Sequence, residues 1–154
     1  MPRRHTTSAG RGAALGAFTA IAVIAVGCGS SPITSSRIER AIGPTFANLV
    51  HVQLDRVGLP VVTPSAITVT ARCRKLVPGT GVRGAGDWTC TLVWYGPNRR
   101  PLTDTYDLVV GTDGCYTASI NGAESQLGGP TAVTSGGNIV RNVLYVFDGC
   151  FDTT

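Results

Sequence analysis

Five cysteines carry most of the reactive chemistry in this chain: Cys28, Cys73, Cys90, Cys115 and Cys150. A thiol can close a disulfide, ligate a metal, attack a substrate or take a lipid, and its neighbours separate those uses. No Cys-x-x-Cys pair occurs, and His51 is the sole histidine after Cys28, so no metal site is expected. His51 has no motif such as Gly-x-Ser-x-Gly to work with; it reads as a surface residue of a helix, and no catalytic residue is assigned. Gly79-Thr80-Gly81-Val82-Arg83-Gly84 matches a dinucleotide fingerprint in letters alone. That fingerprint needs a following helix whose N-terminus holds the pyrophosphate. Here Ala85-Gly86-Asp87 runs straight into a strand pattern, which makes the glycines a hairpin loop and leaves no cofactor implied. Asp113, Asp148 and Asp152 lie near cysteines, but Asp113-Gly114 and Asp148-Gly149 read as turns, with neither a calcium loop nor a paired-carboxylate motif.

Cys28 stands apart from the other four. Residues 1–12 are polar and positive, residues 13–26 are an uncharged apolar run, and small residues follow at Gly27 and Gly29. This is the three-part layout of a secretory signal peptide, and the run is short of the roughly 20 residues that cross a bilayer. Ala25-Val26-Gly27-Cys28 resembles the lipobox of bacterial lipoproteins. The resemblance implies diacylglycerol on the Cys28 sulfur and cleavage before it, leaving residues 28–35 as a tether and 36–154 as a single extracytoplasmic domain. One acyl chain anchors marginally, while two or more hold stably. Arg3-Arg4 followed by His5-Thr6-Thr7 fits twin-arginine export poorly, so general secretion is preferred.

With Cys28 assigned to a lipid, the remaining cysteines form an even set. Four cysteines in a small exported domain read as two disulfides, with three possible connectivities. Local geometry favours Cys73–Cys90 and Cys115–Cys150, because the first pair lies on consecutive strand-like runs. Closing these loops stabilises by about 3 and about 4 kcal/mol on the chain-entropy model.

The elements that position these residues are short. Ser36-Arg37-Ile38-Glu39 has capping-box spacing, and apolar residues from Ile38 to Val57 recur at helical intervals. An amphipathic helix over 37–57 follows, with Pro44 either kinking it or opening a second helix, and Gly58 with Pro60 stopping it. Period-2 patterns at 66–73 and 87–95 place Cys73 and Cys90 on apolar faces. Runs 104–110 and 115–120 are joined through Thr112-Asp113-Gly114, a hairpin signal. Gly128-Gly129-Pro130 and Gly136-Gly137 read as loops, and Val143 to Phe147 as a strand or a short buried segment. The expected fold is α+β: an N-terminal amphipathic helix packed on a four-stranded antiparallel sheet, stapled by disulfides.

Charge narrows the partners. Arg3, Arg4 and Arg11 precede the apolar run, leaving ten basic against nine acidic residues after it. A domain so close to neutral lacks the electrostatic footprint of nucleic-acid binding. Arg72, Arg74 and Lys75 read as solvated strand polarity, with an anionic headgroup or acidic partner as the functional alternative. Around Trp94-Tyr95-Gly96-Pro97-Asn98-Arg99-Arg100, Trp94 fits the core, and Tyr95, Arg99 and Arg100 form the candidate partner-binding set. Lys75 is the sole lysine among thirteen basic residues, a bias that points to a GC-rich coding sequence. On Gly27-Cys28 and the spacing from Cys73 to Gly86-Asp87-Trp88-Thr89-Cys90, the layout resembles small lipoproteins of the actinobacterial cell envelope. That resemblance implies a domain lipid-anchored to the outer face of the cell membrane but no established activity; the expected role is a binding or interaction module for an envelope protein, a polymer or a small ligand. The alternatives are an enzyme on an envelope substrate or an inhibitor of a secreted enzyme.

Overall fold

The computed structural model describes residues 32–76, 83–95, 99–122, 125–126 and 128–153. One helix, α1, spans Ser35–Arg56. Ile38, Ile42, Phe46, Val50 and Leu54 recur every four residues and are all buried, so one stripe of the helix faces the core. Pro44 neither divides α1 nor opens a second helix: it lies within a continuous helix, on the exposed side. At the C-terminus, Gly58 takes a φ of 72°, its N–H donates to Asp55 and the Leu59 N–H donates to Leu54. These are the two bonds of a Schellman ending, and they need a residue that tolerates the left-handed region.

The N-terminus departs from the capping box. Thr34 is the N-cap and makes no side-chain cap bond, while Ser36 already lies inside the helix. Glu39 is committed elsewhere: its Oε1 accepts the Cys73 N–H at 2.8 Å. A local motif has lost to a tertiary one, because a backbone donor on a sheet edge needs an acceptor as much as a helix end does.

The seven strands are β1 (Val69–Lys75), β2 (Gly86–Tyr95), β3 (Pro101–Val110), β4 (Cys115–Ile120), β5 (Thr131–Val133), β6 (Ile139–Arg141) and β7 (Val146–Cys150). The main sheet is five-stranded and antiparallel in the order β1-β2-β3-β4-β7, one strand more than expected. The added strand is the end of the tail, displaced from the apolar run at 143–147 so that Cys150 pairs with Cys115. The β5–β6 hairpin is a second correction, since the glycine-rich stretch there reads as loop. Gly136-Gly137 forms its turn, with the Thr134 N–H donating to Asn138 and a φ of 81° at Gly137.

The β3–β4 turn follows the Asp-Gly signal. Gly114 takes a φ of 83°, and the Asp113 carboxylate accepts the Cys115 N–H at 3.0 Å. Glycine is required for a further reason: the tail crosses so closely that a Cβ at Gly114 would run into the Phe151 carbonyl. Gly149 is constrained likewise by the Tyr116 ring lying over it.

The core fills the space between α1 and one sheet face. Phe46 meets Trp94 and Tyr106 edge-on, with centroids 5.6 and 5.9 Å away, and Phe147 at 6.4 Å. Each aromatic pair of this kind adds about 0.5–1.5 kcal/mol beyond area burial. Two polar devices sit among the rings. The Tyr106 hydroxyl donates to the Leu144 carbonyl at 2.7 Å, and the buried Asp104 carboxylate accepts from Trp94 Nε1 at 3.0 Å and from the Gln126 N–H at 2.8 Å.

Burial raises the Tyr106 pKa far above the ordinary tyrosine value, and the Asp104 charge adds to the effect. Burial also raises Tyr116, with the Thr45 hydroxyl opposing it. The unfolded chain ionises these phenols near pH ~10, whereas the folded chain keeps them neutral. Their contribution to stability is therefore complete below about pH 10 and declines as pH rises beyond it. Tyrosinate absorbance and far-ultraviolet circular dichroism, followed together through alkaline titration, should show Tyr106 and Tyr116 ionising only as the fold is lost. Full ionisation of all four tyrosines with unchanged secondary structure would contradict this burial.

Candidate functional site

Strand pairing divides the main sheet into a covered and an uncovered face. On the covered face, Trp88, Cys90, Leu92 and Trp94 of β2 register with Leu108, Tyr106, Asp104 and Leu102 of β3. On the other face lie Thr70, Thr89, Thr91, Thr103, Thr105 and Thr117, with Arg72 and Arg74 on the edge strand. Rows run across the strands: Arg74, Thr89, Asp107 and Ser119 in one, Arg72, Thr91 and Thr105 in the next. β-branched threonine suits a pleated surface; Thr70, Thr103 and Thr117 are exposed there, whereas Thr89 is buried and its hydroxyl donates to the Tyr106 carbonyl at 3.3 Å. This is the candidate functional surface: hydroxyl-rich and flanked by guanidinium groups, with a depression of about 260 Å³ beside Arg72, Arg74, Thr89 and Thr91.

Several of its groups are held in place. Thr91 and Thr105 hydroxyls lie 3.5 Å apart across the β2–β3 pair. Asp107 accepts both contacts from Asn121 Nδ2, at 3.1 and 2.9 Å. The Thr117 hydroxyl donates to Asp148 at 2.6 Å. Asp148 lies in β7 and thus serves a cross-strand bond to β4, not the turn expected from Asp148-Gly149. Val109 interrupts the polar surface at 65% exposure.

Tyr95 closes β2 on this same face and is 52% exposed. Arg99 and Arg100 are exposed where the chain enters β3, Arg99 with a φ of 57°, and residues 96–98 between them and Tyr95 lie outside the described residues. Trp94 is fully buried, as its apolar alternation indicates. His51 is half-buried, not a surface residue: its Nδ1 is 2.9 Å from the Val62 carbonyl, which pins the chain leaving α1. Gly84 and Gly86 take positive φ and lead into strand β2, while residues 77–82 of the glycine-rich loop lie outside the described residues. Cys28 and the leader also lie outside them. Among the described residues, no three His, Cys, Asp or Glu side chains gather as a metal site, and no helix is long and apolar enough to cross a membrane.

The disulfides join Cys73 to Cys90 and Cys115 to Cys150. Their Cα atoms are 4.1 and 3.9 Å apart, the close approach of directly opposed antiparallel partners. Cys73–Cys90 belongs to the covered face and Cys115–Cys150 to the uncovered one. Two disulfides in a domain of this size indicate an oxidising, extracytoplasmic location. The chain matches no protein-family model, no curated protein and no solved structure.

Sequence reasoning missed Asp104, whose alternation partners are apolar and whose role appears only once Trp94 is beside it. It also missed Gln53, a buried helix residue whose Oε1 accepts the Val143 N–H at 3.2 Å and ties α1 to the tail. Neither carries a local signal, since both act on residues distant in the chain.

The two disulfides differ in access: Cys90 is fully buried, whereas Cys150 is exposed. Thiol exchange requires the attacking thiolate to reach a sulfur. Under dilute reductant in native buffer, Cys115–Cys150 should open well before Cys73–Cys90, as read by timed alkylation and peptide mass mapping. Identical rates for both would mean that access is set by global unfolding instead.

Proposed function

We propose that this chain is a membrane-anchored lipoprotein of the bacterial envelope, acting as a binding module whose contact surface is the uncovered face of the sheet. The observation that carries the reading is that face itself: a five-stranded sheet with one side packed under α1 and no helix among the described residues over the other. The disulfides support an extracytoplasmic location, and the lipobox-like leader ending at Cys28 supports attachment through lipid. An anchored domain meets its partner in two dimensions, which raises effective concentration and lets a modest contact suffice. Hydroxyls, guanidinium groups and the Tyr95 ring suit an envelope protein or polymer rich in hydrogen-bond acceptors.

Crosslinking of the intact protein in native membranes tests the contact surface. Arg72→Glu with Tyr95→Ala should abolish the specific crosslinks, while Ile139→Ser on the separate β5–β6 hairpin leaves them. Persistence of every crosslink in the double variant would rule out the open face. Cys28→Ser should move the protein from the membrane fraction to the soluble one, and retention would count against lipidation.

A further inference from the structure

The near-neutral total conceals a lateral asymmetry. The N-terminal half of α1, β1 and the entry to β2 carry Arg37, Arg40, Arg72, Arg74, Lys75 and Arg83, six of the ten basic residues after Cys28. Glu39 and Asp87 are the acids there, and Glu39 is occupied by the Cys73 N–H. Across the sheet the sign reverses. β4, β7 and the segments that flank them, 111–122 and 146–153, hold Asp113, Asp148 and Asp152 and no basic residue.

The chain leaves the domain at the basic corner. The Gly84 N–H donates to the Ile33 carbonyl at 2.8 Å, Thr34 bridges Arg83, and Lys75 Nζ donates to the Arg83 carbonyl at 2.8 Å. Arg40, Arg74 and Arg83 are exposed around this exit. Five residues separate Ile33 from Cys28, a reach of about 18 Å at most. α1 is about 33 Å long, and the β5–β6 turn meets Gly58 at its far end. A domain inverted onto that hairpin, with its exposed Val133 and Ile139, would hold the exit farther from the bilayer than the tether allows.

We propose that this corner, formed by Arg40, Arg74, Lys75 and Arg83, docks on anionic phospholipid headgroups and so orients the domain on the membrane. This docking rests on the attachment proposed above, since lipid on Cys28 holds the corner against the bilayer. Two observations select lipid as the occupant: the chain exits there toward its anchor, and basic residues concentrate on that side. Cations within about a Debye length of an anionic surface, roughly 8–10 Å at ordinary salt, are attracted to it individually, whatever the net charge of the domain. β1 ends and β2 begins at the corner, so the strands rise from the bilayer and the open face stays accessible to its partner.

Two preparations separate docking from anchoring. The wild-type chain is placed in nanodiscs of phosphatidylcholine alone or with phosphatidylglycerol, carrying a nitroxide on the headgroups. On the anionic discs, the amide signals of Lys75, Arg83 and Gly84 should broaden far more than those of Val133 and Ile139. Neutral discs, or about 1 M salt with its Debye length of about 3 Å, should reduce that contrast severalfold. The full chain with Cys28→Ser, read by cosedimentation, should bind phosphatidylglycerol vesicles at least about tenfold more tightly than phosphatidylcholine ones. Adding Arg40→Glu and Arg83→Glu should remove most of that preference. Both positions are exposed, and Arg72 and Tyr95 of the open face are untouched.

Wild-type chain that washes off neutral discs would sink the anchor, while the Cys28→Ser arm still decides the corner. The proposal is overturned by equal binding to both vesicles, by an unchanged preference in the charge-reversed chain, or by broadening centred on Val133 and Ile139. Salt-sensitive self-association abolished by the same reversal would assign the corner to a second copy and overturn it too.

Discussion

Everything in this domain depends on Phe46 reaching the sheet. A 22-residue helix containing Gly43 and Pro44 is a poor helix in isolation, and a five-stranded sheet with one apolar face cannot remain open on that side. Phe46 resolves both conditions. Its ring enters the angle between Trp94 of β2, Tyr106 of β3 and Phe147 of β7, so one side chain touches a central strand, its neighbour and an edge. Tyr106 and Phe147 also meet each other at 5.2 Å, which closes the cluster into a single packed unit. The helix is thereby held across the sheet, and only one face is covered. The bare face follows from this packing, because the chain contains no second long helix among its described residues to cover it.

The disulfides work on what that single interaction leaves weak. Aromatic packing is concentrated at the middle of the sheet, whereas both ladders end in strands with one neighbour each. Cys73–Cys90 fastens the edge strand β1, and Cys115–Cys150 fastens the opposite edge strand β7. Each staple thus sits where the sheet has fewest hydrogen bonds. Glu39 adds to the first by accepting an outward N–H of β1, which also blunts an edge that would otherwise template another strand. A small core, two stapled edges and one capped donor form a consistent solution for a domain outside the cytoplasm.

Legibility in the sequence tracked the range of the interaction. The stripe from Ile38 to Leu54, the alternation through Trp88 to Trp94 and the Asp113-Gly114 turn are all local, and each was readable from period or turn chemistry. Even the disulfide partners were within reach, since Cys73 and Cys90 share apolar faces of consecutive strands. Features set by distant residues were hidden. Ser36 and Glu39 have capping-box spacing, yet Glu39 serves a strand thirty-four residues away. The fifth strand was blurred because its apolar run belongs partly to the turn before β7, where Leu144 is buried but not in a strand. The bare face could be expected from the threonines, but its extent required the register of all five strands.

The distribution of charge explains why near-neutrality understates the chain's capacity to bind. Net charge governs steering at long range, and ten basic against nine acidic residues give almost none. Contact chemistry depends instead on which groups still lack partners. Glu39, Asp104, Asp107, Asp113 and Asp148 each already accept a hydrogen bond from the protein. Arg72 and Arg74 project from an exposed edge, and Arg37 carries a buried donor with nothing to meet it. These five carboxylates are thus tied into the architecture, while Arg72 and Arg74 stand at its edge. A surface of this kind exerts little pull at a distance and strong selectivity on contact, favouring partners that bring acceptors. That asymmetry accounts for a hydroxyl-rich face flanked by arginine at its β1 edge.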